Sequence, residues 1–296
     1  ELVRRQTSGA TLERIQSLHS GALLLLFSEP VNNDALELRI HDLPVELLYA
    51  TDDARKVYAV TAQQEAGKTY DVDRVVLGGR VLAWSESLRG SGRRDTKPPE
   101  WIGLESAILT ANDPLKMRFS EAMRADVQGM QWVGGDSTLA PQGAWRWLSP
   151  THVEFMPDSL WEVGSWSCIL KGSDWTDRAG LALADSTLAV VFSVVEARAS
   201  VAGRVLGVQG VAEVRLRAEQ MGRDYAVRCS PEGDFVVDGL PADTYQLWSF
   251  DDLNGDGKWD AGTLFPFIRP EAITHYGASI ELAADDAVVD LRLQFR

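Results

Sequence analysis

Oxygen-bearing side chains recur at alternate positions in one stretch of the chain, Asp252-Leu253-Asn254-Gly255-Asp256-Gly257-Lys258-Trp259-Asp260. Gly255 and Gly257, with Gly262 just beyond, let the backbone curl, and a curled row of such oxygens suits a hard divalent cation. Ca²⁺ takes about 6–8 oxygen ligands. With Asp252 as the first ligand position, Asn254, Asp256 and Asp260 fall at the third, fifth and ninth, and the Lys258 carbonyl at the seventh. The twelfth position, where a helix-loop-helix site supplies a bidentate Glu, is Thr263, so the last ligand must come from elsewhere. Glu271 and Asp251 are the candidates. The expected metal set is Asp252, Asn254, Asp256, Lys258, Asp260 and Glu271, and the expected role is structural, bracing a long loop against Trp259 and Phe265. The competing reading is an acidic, glycine-rich turn held by Asx hydrogen bonds. Against it stands the mutual repulsion of three closely spaced Asp and the gain from a cation among them.

Other chemistry-bearing residues form weaker patterns. The four histidines, His19, His41, His152 and His275, are scattered, with no pair at the i, i+4 spacing of a metal-binding helix. Ser28-Glu29 and Ser120-Glu121 recur, but no nucleophile motif surrounds them, and no glycine-rich phosphate loop runs from a strand into a helix. These patterns predict a protein that is not an enzyme. Cys168 and Cys229 sit in apolar, alternating stretches of different units, which predicts two buried free thiols rather than a disulfide. Ten tryptophans are many. Trp145 and Trp147 alternate and share one face of a strand, with Trp132, Trp161, Trp166 and Trp175 nearby in sequence. They read either as a sandwich core or as a platform on which sugar rings stack. Phe265-Pro266-Phe267-Ile268-Arg269-Pro270 reads as an ordered loop covering a sheet end, or as a partner-binding edge.

The whole chain, 296 residues with a formal charge of −14, excludes nucleic acid as a partner, because phosphates call for a basic face. From Ala199 onward 16 acidic residues face 9 basic ones, so the acid excess lies in the part that holds the Asp252–Asp260 loop. No run approaches the roughly 20 apolar residues of a membrane-spanning helix. The sequence opens at Glu1 rather than Met, which fits a trimmed chain whose address signal lies outside it.

The elements that must position these residues are strands. Leu12, Glu13, Leu23, Leu25, Phe27, Ser28 and Glu29 recur 92 residues later as Leu104, Glu105, Leu115, Met117, Phe119, Ser120 and Glu121. Further on, Tyr58, Glu65 and Gly67 match Phe155, Glu162 and Gly164 at an offset of 97. Period-2 alternation in Leu115-Lys116-Met117-Arg118-Phe119 and Val153-Glu154-Phe155 predicts half-buried strands. Residues 10–19 are the one stretch with helical character, yet their match to 103–111 favours a strand. A polar, proline-stiffened linker at 89–99 separates the repeats. A second boundary falls near 195–200. Beyond it, strands are expected at 201–206, 211–219, 225–229, 235–237, 245–250, 279–282 and 288–295, a spacing that argues for a sandwich.

At this point the residues resemble known families. The repeated unit is similar to bacterial Ig-like domains of surface-layer and other secreted proteins. The marks are Asp95-x-x-Pro98-Pro99, Phe119-Ser120-Glu121-x-Met123, the Val153–Pro157 strand and the Asp177-x-x-Gly180 turn; the first unit keeps Phe27-Ser28-Glu29-Pro30-Val31 but lacks the proline pair and the Asp-x-x-Gly turn. The third unit resembles carboxypeptidase-regulatory-like or transthyretin-like sandwiches through Val201-Ala202-Gly203-Arg204-Val205, Gly233-Asp234-Phe235, Asp238-Gly239-Leu240-Pro241, Tyr245-Gln246-Leu247 and the acidic loop. Bacteroidetes-type cell-envelope proteins string such modules together. The resemblance implies an all-β chain of three tandem β-sandwich modules: two Ig-like (1–92 and 96–197), then one transthyretin-like (198–296) carrying structural Ca²⁺. It further implies a secreted, cell-surface or periplasmic protein doing structural or adhesive work. Its partners would be proteins or glycans at the cell surface, and a lipoprotein-type membrane anchor would lie in a segment outside this chain. The alternatives are a carbohydrate-binding module using the second unit's tryptophans, or the accessory part of a larger secreted hydrolase.

Overall fold

A computed structural model describes residues 9–51, 53–125, 130–134, 140–264 and 267–295. Among them there is no α-helix, only two short 3₁₀ turns, Asn33–Ala35 and Gly172–Asp174. The fold is all-β, and among the described residues no helix is long and apolar enough to cross a membrane. Residues 10–19 form the strand Leu12–His19, so the repeat rather than the faint helical period identified them correctly.

The described residues build three pairs of larger sheets, with two small two-stranded sheets besides. In the first, Leu12–His19, Ala22–Phe27, Lys56–Thr61 and Val45–Ala50 form one sheet in that order, opposite Leu36–Ile40, Val72–Leu77 and Arg80–Val81. The inner faces of both sheets supply one core, with Leu23, Leu25, Phe27, Val57 and Ala59 meeting Leu36, Leu38, Val75 and Leu77. The second pair repeats the first sheet's order with Trp101–Leu104, Leu115–Phe119, His152–Pro157 and Gly143–Ser149. Its other sheet runs Ile108–Thr110, Thr187–Val195, Gly164–Lys171 and Met130–Gly134, the first two of them parallel. Alternate inward residues are the cause: Leu115, Met117 and Phe119 are buried while Lys116 and Arg118 lie on the other face.

The repeat is real at its start but slips by one residue further on. Leu25 pairs with Val57 and Met117 with Val153, so Val57 and Ala59 occupy the places of Val153 and Phe155. There the offset is 96, not 97. Tyr58 consequently points away from the core and stacks on Tyr49 with ring centroids 5.3 Å apart. A slip of one residue exchanges the two faces of a strand, and the aromatic match between Tyr58 and Phe155 concealed it.

In the third pair, Asp234–Pro241, Ala197–Leu206 and Ala287–Gln294 form one sheet, with the last two parallel. Asp224–Arg228, Val211–Ala218, Asp243–Asp252 and Ile273–His275 form the other, and Ile280–Leu282 also pairs with Asp243–Asp252. Val201, Val205, Phe235, Leu291 and Leu293 meet Val214, Leu216, Tyr245 and Leu247 between them. All seven strands expected from the sequence are present; Ile273–His275 and the small hairpin Thr263–Leu264 with Phe267–Ile268 are additional. Glu196 alone separates Thr187–Val195 from Ala197–Leu206. The second and third units also touch, because Arg223 makes an ion pair with Asp113.

Candidate metal-binding loop

Strand Asp243–Asp252 delivers the acidic loop. Asp252 is its last residue, and Gly255, Gly257 and Gly262 take φ of 75°, 72° and 72°, the left-handed conformation that only glycine adopts without strain. The curl read from the sequence is therefore present. Asp252 is buried, and its Oδ1 accepts the Gly255 and Asp256 N–H groups at 2.8 and 3.2 Å. Its Oδ2 accepts Gly257 N–H at 2.9 Å and the Arg228 guanidinium at 3.1 Å. Burial works to raise the Asp252 carboxyl, but these donors outweigh it and hold it below the usual carboxylate range. Further along, Asn254 Oδ1 accepts Asp256 N–H at 2.9 Å, and Asp256 Oδ1 accepts the backbone N–H of Lys258 at 2.8 Å. Asn254 Nδ2 donates to Asp260 Oδ2 at 2.9 Å.

Glu271, the residue expected to close the ligand set, lies beside the loop. Glu271 is buried, with Oε1 accepting Leu253 N–H and Oε2 accepting Asp260 N–H, both at 2.9 Å. The Asp260 carbonyl accepts Glu271 N–H, and Trp259 Nε1 donates to the Glu271 carbonyl, each at 2.9 Å. Asp251, the other candidate, faces elsewhere: its two oxygens accept Gln209 and Gly210 N–H at 2.9 and 2.7 Å. Phe265, the expected apolar support, lies outside the described residues.

The donor set suits a hard cation in chemistry, since all six groups offer oxygen. Both oxygens of Asp252 and of Glu271, Asn254 Oδ1, Asp256 Oδ1 and Asp260 Oδ2 are nevertheless engaged by donors from the protein. Arg228 and Arg215 are the participants that the sequence reading missed. Arg228 bonds Glu213 at 3.0 Å, Asp252, and the Gly255 carbonyl at 3.2 Å, while Arg215 donates to the Gly257 carbonyl at 2.6 Å. A signal for Arg215 exists in the alternation Glu213-Val214-Arg215-Leu216-Arg217, which places charges on the outer face of the strand paired with Asp243–Asp252; Arg228 ends the neighbouring strand Asp224–Arg228. A cation at this loop would sit among the oxygens of Asp252, Asn254, Asp256, Lys258, Asp260 and Glu271 and would share Asp252 with Arg228.

The tryptophans of the second unit face inward. Trp132 packs against Phe155, Trp161, Trp166 and Phe192 with centroids 5.7–6.3 Å apart. Trp145 meets Phe155 at 5.2 Å and Trp175 at 5.4 Å, and Trp147 meets Phe119 at 6.1 Å. Trp161, Trp166 and Trp175 are buried. The shared face of Trp145 and Trp147 is thus the inner face of a sheet, and edge-to-face ring contacts fill the space a sugar platform would leave open.

The cysteines and three of the histidines have local surroundings. Cys168 and Cys229 are buried free thiols, each pushed up to about 12 by burial. His152 Nδ1 lies 2.9 Å from both the Ser149 and Thr151 hydroxyls within one hairpin turn. His41 is exposed beside Asp42 and Asp73, and the His275 ring lies against Trp248.

No protein-family model matches the chain, and no curated protein matches it either. Among solved structures it is similar to titin domains A168–A170, at 12% identity over 82% of this chain and 91% of that one, with a TM-score of 0.24. A mixed-linkage glucan utilisation protein, SGBP-B of Bacteroides ovatus, solved with a mixed-linkage heptasaccharide, shares 12% identity over 89% and 71% of the two chains at a TM-score of 0.30. The Escherichia coli adhesin FdeC shares 10% over 93% and 96% at 0.22.

Proposed function

We propose that the chain is a non-catalytic structural or adhesive protein working outside the cytoplasm, at the cell envelope. In this reading it displays a partner-binding surface on its third sandwich, a transthyretin-like or carboxypeptidase-regulatory-like unit braced by Ca²⁺ at the Asp252–Asp260 loop. The observation that carries it is the set of exposed apolar side chains along the excursion, acidic in its first half, that joins strands Asp243–Asp252 and Ile273–His275. Leu253, Phe267, Ile268 and Ile273 are 59%, 71%, 56% and 40% exposed along this one segment. Apolar side chains gathered on one excursion mark a contact surface better than scattered ones do. Ile273–His275 is also the outer strand of its sheet, the position from which a strand can accept a partner's backbone. The inward-facing tryptophans favour a protein partner over a glycan.

Fluorescently labelled chain offered to isolated bacterial envelopes, with soluble glycans as competitors, tests the display. Binding should survive the glycans and fall at least about tenfold in the double variant Phe267→Asp/Ile268→Asp, where a buried apolar contact becomes a buried charge. No binding, or equal binding by the variant, refutes the surface. Calcium should raise the melting temperature of the chain, and Asp256→Asn should remove the loop's share of that rise; an unchanged response in Asp256→Asn refutes the brace.

A further inference from the structure

Three carboxylates from separate segments meet where the first and second sandwiches join. Asp95 belongs to the linker ahead of Pro98 and Pro99, Glu121 follows the strand Leu115–Phe119, and Asp177 sits in a turn after Gly172–Asp174. Backbone pairing brings them together. Ser120 N–H donates to the Glu100 carbonyl and Glu100 N–H to Ser120 Oγ, both at 2.9 Å, which draws the linker to Glu121. Arg124 N–H donates to the Thr176 carbonyl at 2.9 Å and Arg178 N–H to the Ala122 carbonyl at 3.2 Å, fixing the Asp177 turn alongside. Each carboxylate then holds an oxygen within 4.8 Å of the other two, the one such trio of acids among the described residues.

Asp177 gives this cluster a meaning beyond crowding. It is 1% exposed; its Oδ1 accepts Leu181 N–H at 2.8 Å, while its buried Oδ2 has no hydrogen-bond partner. The Gly180 and Ala179 N–H groups also face this carboxylate. A buried, unpartnered carboxylate oxygen in a residue that meets two more acids is destabilising unless a proton or a cation neutralises it. Burial raises Glu121 to about 7, with Asp177 and Asp95 adding to the rise and Lys97 opposing it; burial and Asp95 raise Asp177 as well. Glu100 adds a further like charge at Glu121. On the side of the first sandwich, His19 Nε2 lies 3.1 Å from Asp95 Oδ2.

We infer that Asp95, Glu121 and Asp177 bind a hard divalent cation, Ca²⁺ by the all-oxygen donor set, at the seam between the first two sandwiches. Water completes the shell, as three carboxylates supply fewer than the about 6–8 oxygens that calcium takes. The first sandwich reaches this point twice, through His19 at the end of its opening strand and through the Tyr49 hydroxyl against the Ala122 backbone. A cation that fixes the linker acid to Glu121 and Asp177 therefore also fixes the two sandwiches to one another. This site is separate from the Asp252–Asp260 loop and from the display surface.

Calorimetric titration of CaCl₂ into the chelator-stripped full chain, with melting curves, tests it in the wild type, Glu121→Gln, Asp177→Asn and the loop control Asp256→Asn. Asn at 177 keeps an acceptor for Leu181 N–H, and circular dichroism verifies that each variant folds. Calcium should bind this site in the wild type and Asp256→Asn. It should raise the melting temperature by about 10 °C when present about 100-fold above its Kd. In Glu121→Gln and Asp177→Asn the stoichiometry should drop by one ion, or that ion's affinity should fall about tenfold or more. Calcium should also slow tryptic cleavage after the exposed Arg93 and Arg94 in the wild type but not in these two variants. The inference is overturned if the wild type takes up no calcium. It is also overturned if Glu121→Gln and Asp177→Asn match it in uptake and melting, or if Asp256→Asn alone abolishes the response.

Discussion

Asp113 and Arg223 form the ion pair between the second and third sandwiches, and removing either side chain tests how firmly they are coupled. Asp113 Oδ2 accepts Thr110 N–H at 2.7 Å and the Thr110 hydroxyl at 2.8 Å as well as the guanidinium. Asp113→Ala therefore loses two local hydrogen bonds and the pair, about 2–3 kcal/mol. Arg223→Ala leaves Asp113 satisfied by Thr110. It loses the pair, discounted because the Arg223 side chain is 40% exposed, and its place over the Tyr225 ring at 5.0 Å, together about 1–1.5 kcal/mol. The double variant should recover a coupling of about 1 kcal/mol. Urea titration of the full chain followed by tryptophan fluorescence is the assay, because seven of the ten tryptophans lie in the second unit.

The pair has a pH signature too. Burial works to raise the Asp113 carboxyl, but the Thr110 donors and Arg223 outweigh it and hold it below the ordinary carboxylate range. With a depressed folded value, its stabilisation is fully present above the unfolded carboxyl's pKa and disappears as pH falls through the folded one. The gap between wild type and Arg223→Ala should accordingly close on acidification. Coupling below about 0.3 kcal/mol, within ordinary additivity, or a gap that widens in acid would refute the reasoning.

Two further expectations concern the cores. Trp161 Nε1 donates to the buried Asp113 carbonyl at 2.7 Å. Trp161→Phe should destabilise the second unit by about 2–4 kcal/mol from the orphaned carbonyl and the cavity together, and a change under about 1 kcal/mol in urea melts would show that the ring's position is not fixed by this bond. Cys168 and Cys229, both buried and pushed up to about 12, should resist iodoacetamide at pH 8 in the native chain and react only in denaturant; rapid native labelling of either, read by mass spectrometry, would contradict their burial.

The architecture was legible because alternation is a local signal. Leu115-Lys116-Met117 and Val153-Glu154-Phe155 were read by alternation without knowledge of their neighbours, and the seven expected strands of the third unit are all present. Less legible was everything that depends on which strand lies beside which. Tyr58 matched Phe155 by residue type, yet pairing with Leu24 turns it outward. The curl of the acidic loop could be read from Gly255 and Gly257, but Arg228 reaches Asp252 from a strand 24 residues earlier in the chain. Most instructive are Asp95, Glu121 and Asp177. Each was visible as part of a short motif, and only the folded chain shows that the three motifs share one point.

Two of the sandwiches pair an early strand in parallel with a late one: Ile108–Thr110 with Thr187–Val195, and Ala197–Leu206 with Ala287–Gln294. When such a unit is pulled from its two ends, one strand is drawn backward and the other forward along their common ladder. The inter-strand bonds are then loaded side by side in shear, whereas a hairpin pulled from its open end gives them up one after another. Forced unfolding is governed by a rate rather than by equilibrium stability. A chain joined in this way resists tension beyond what its melting temperature would suggest, a useful property for any protein stretched between a surface and whatever it holds.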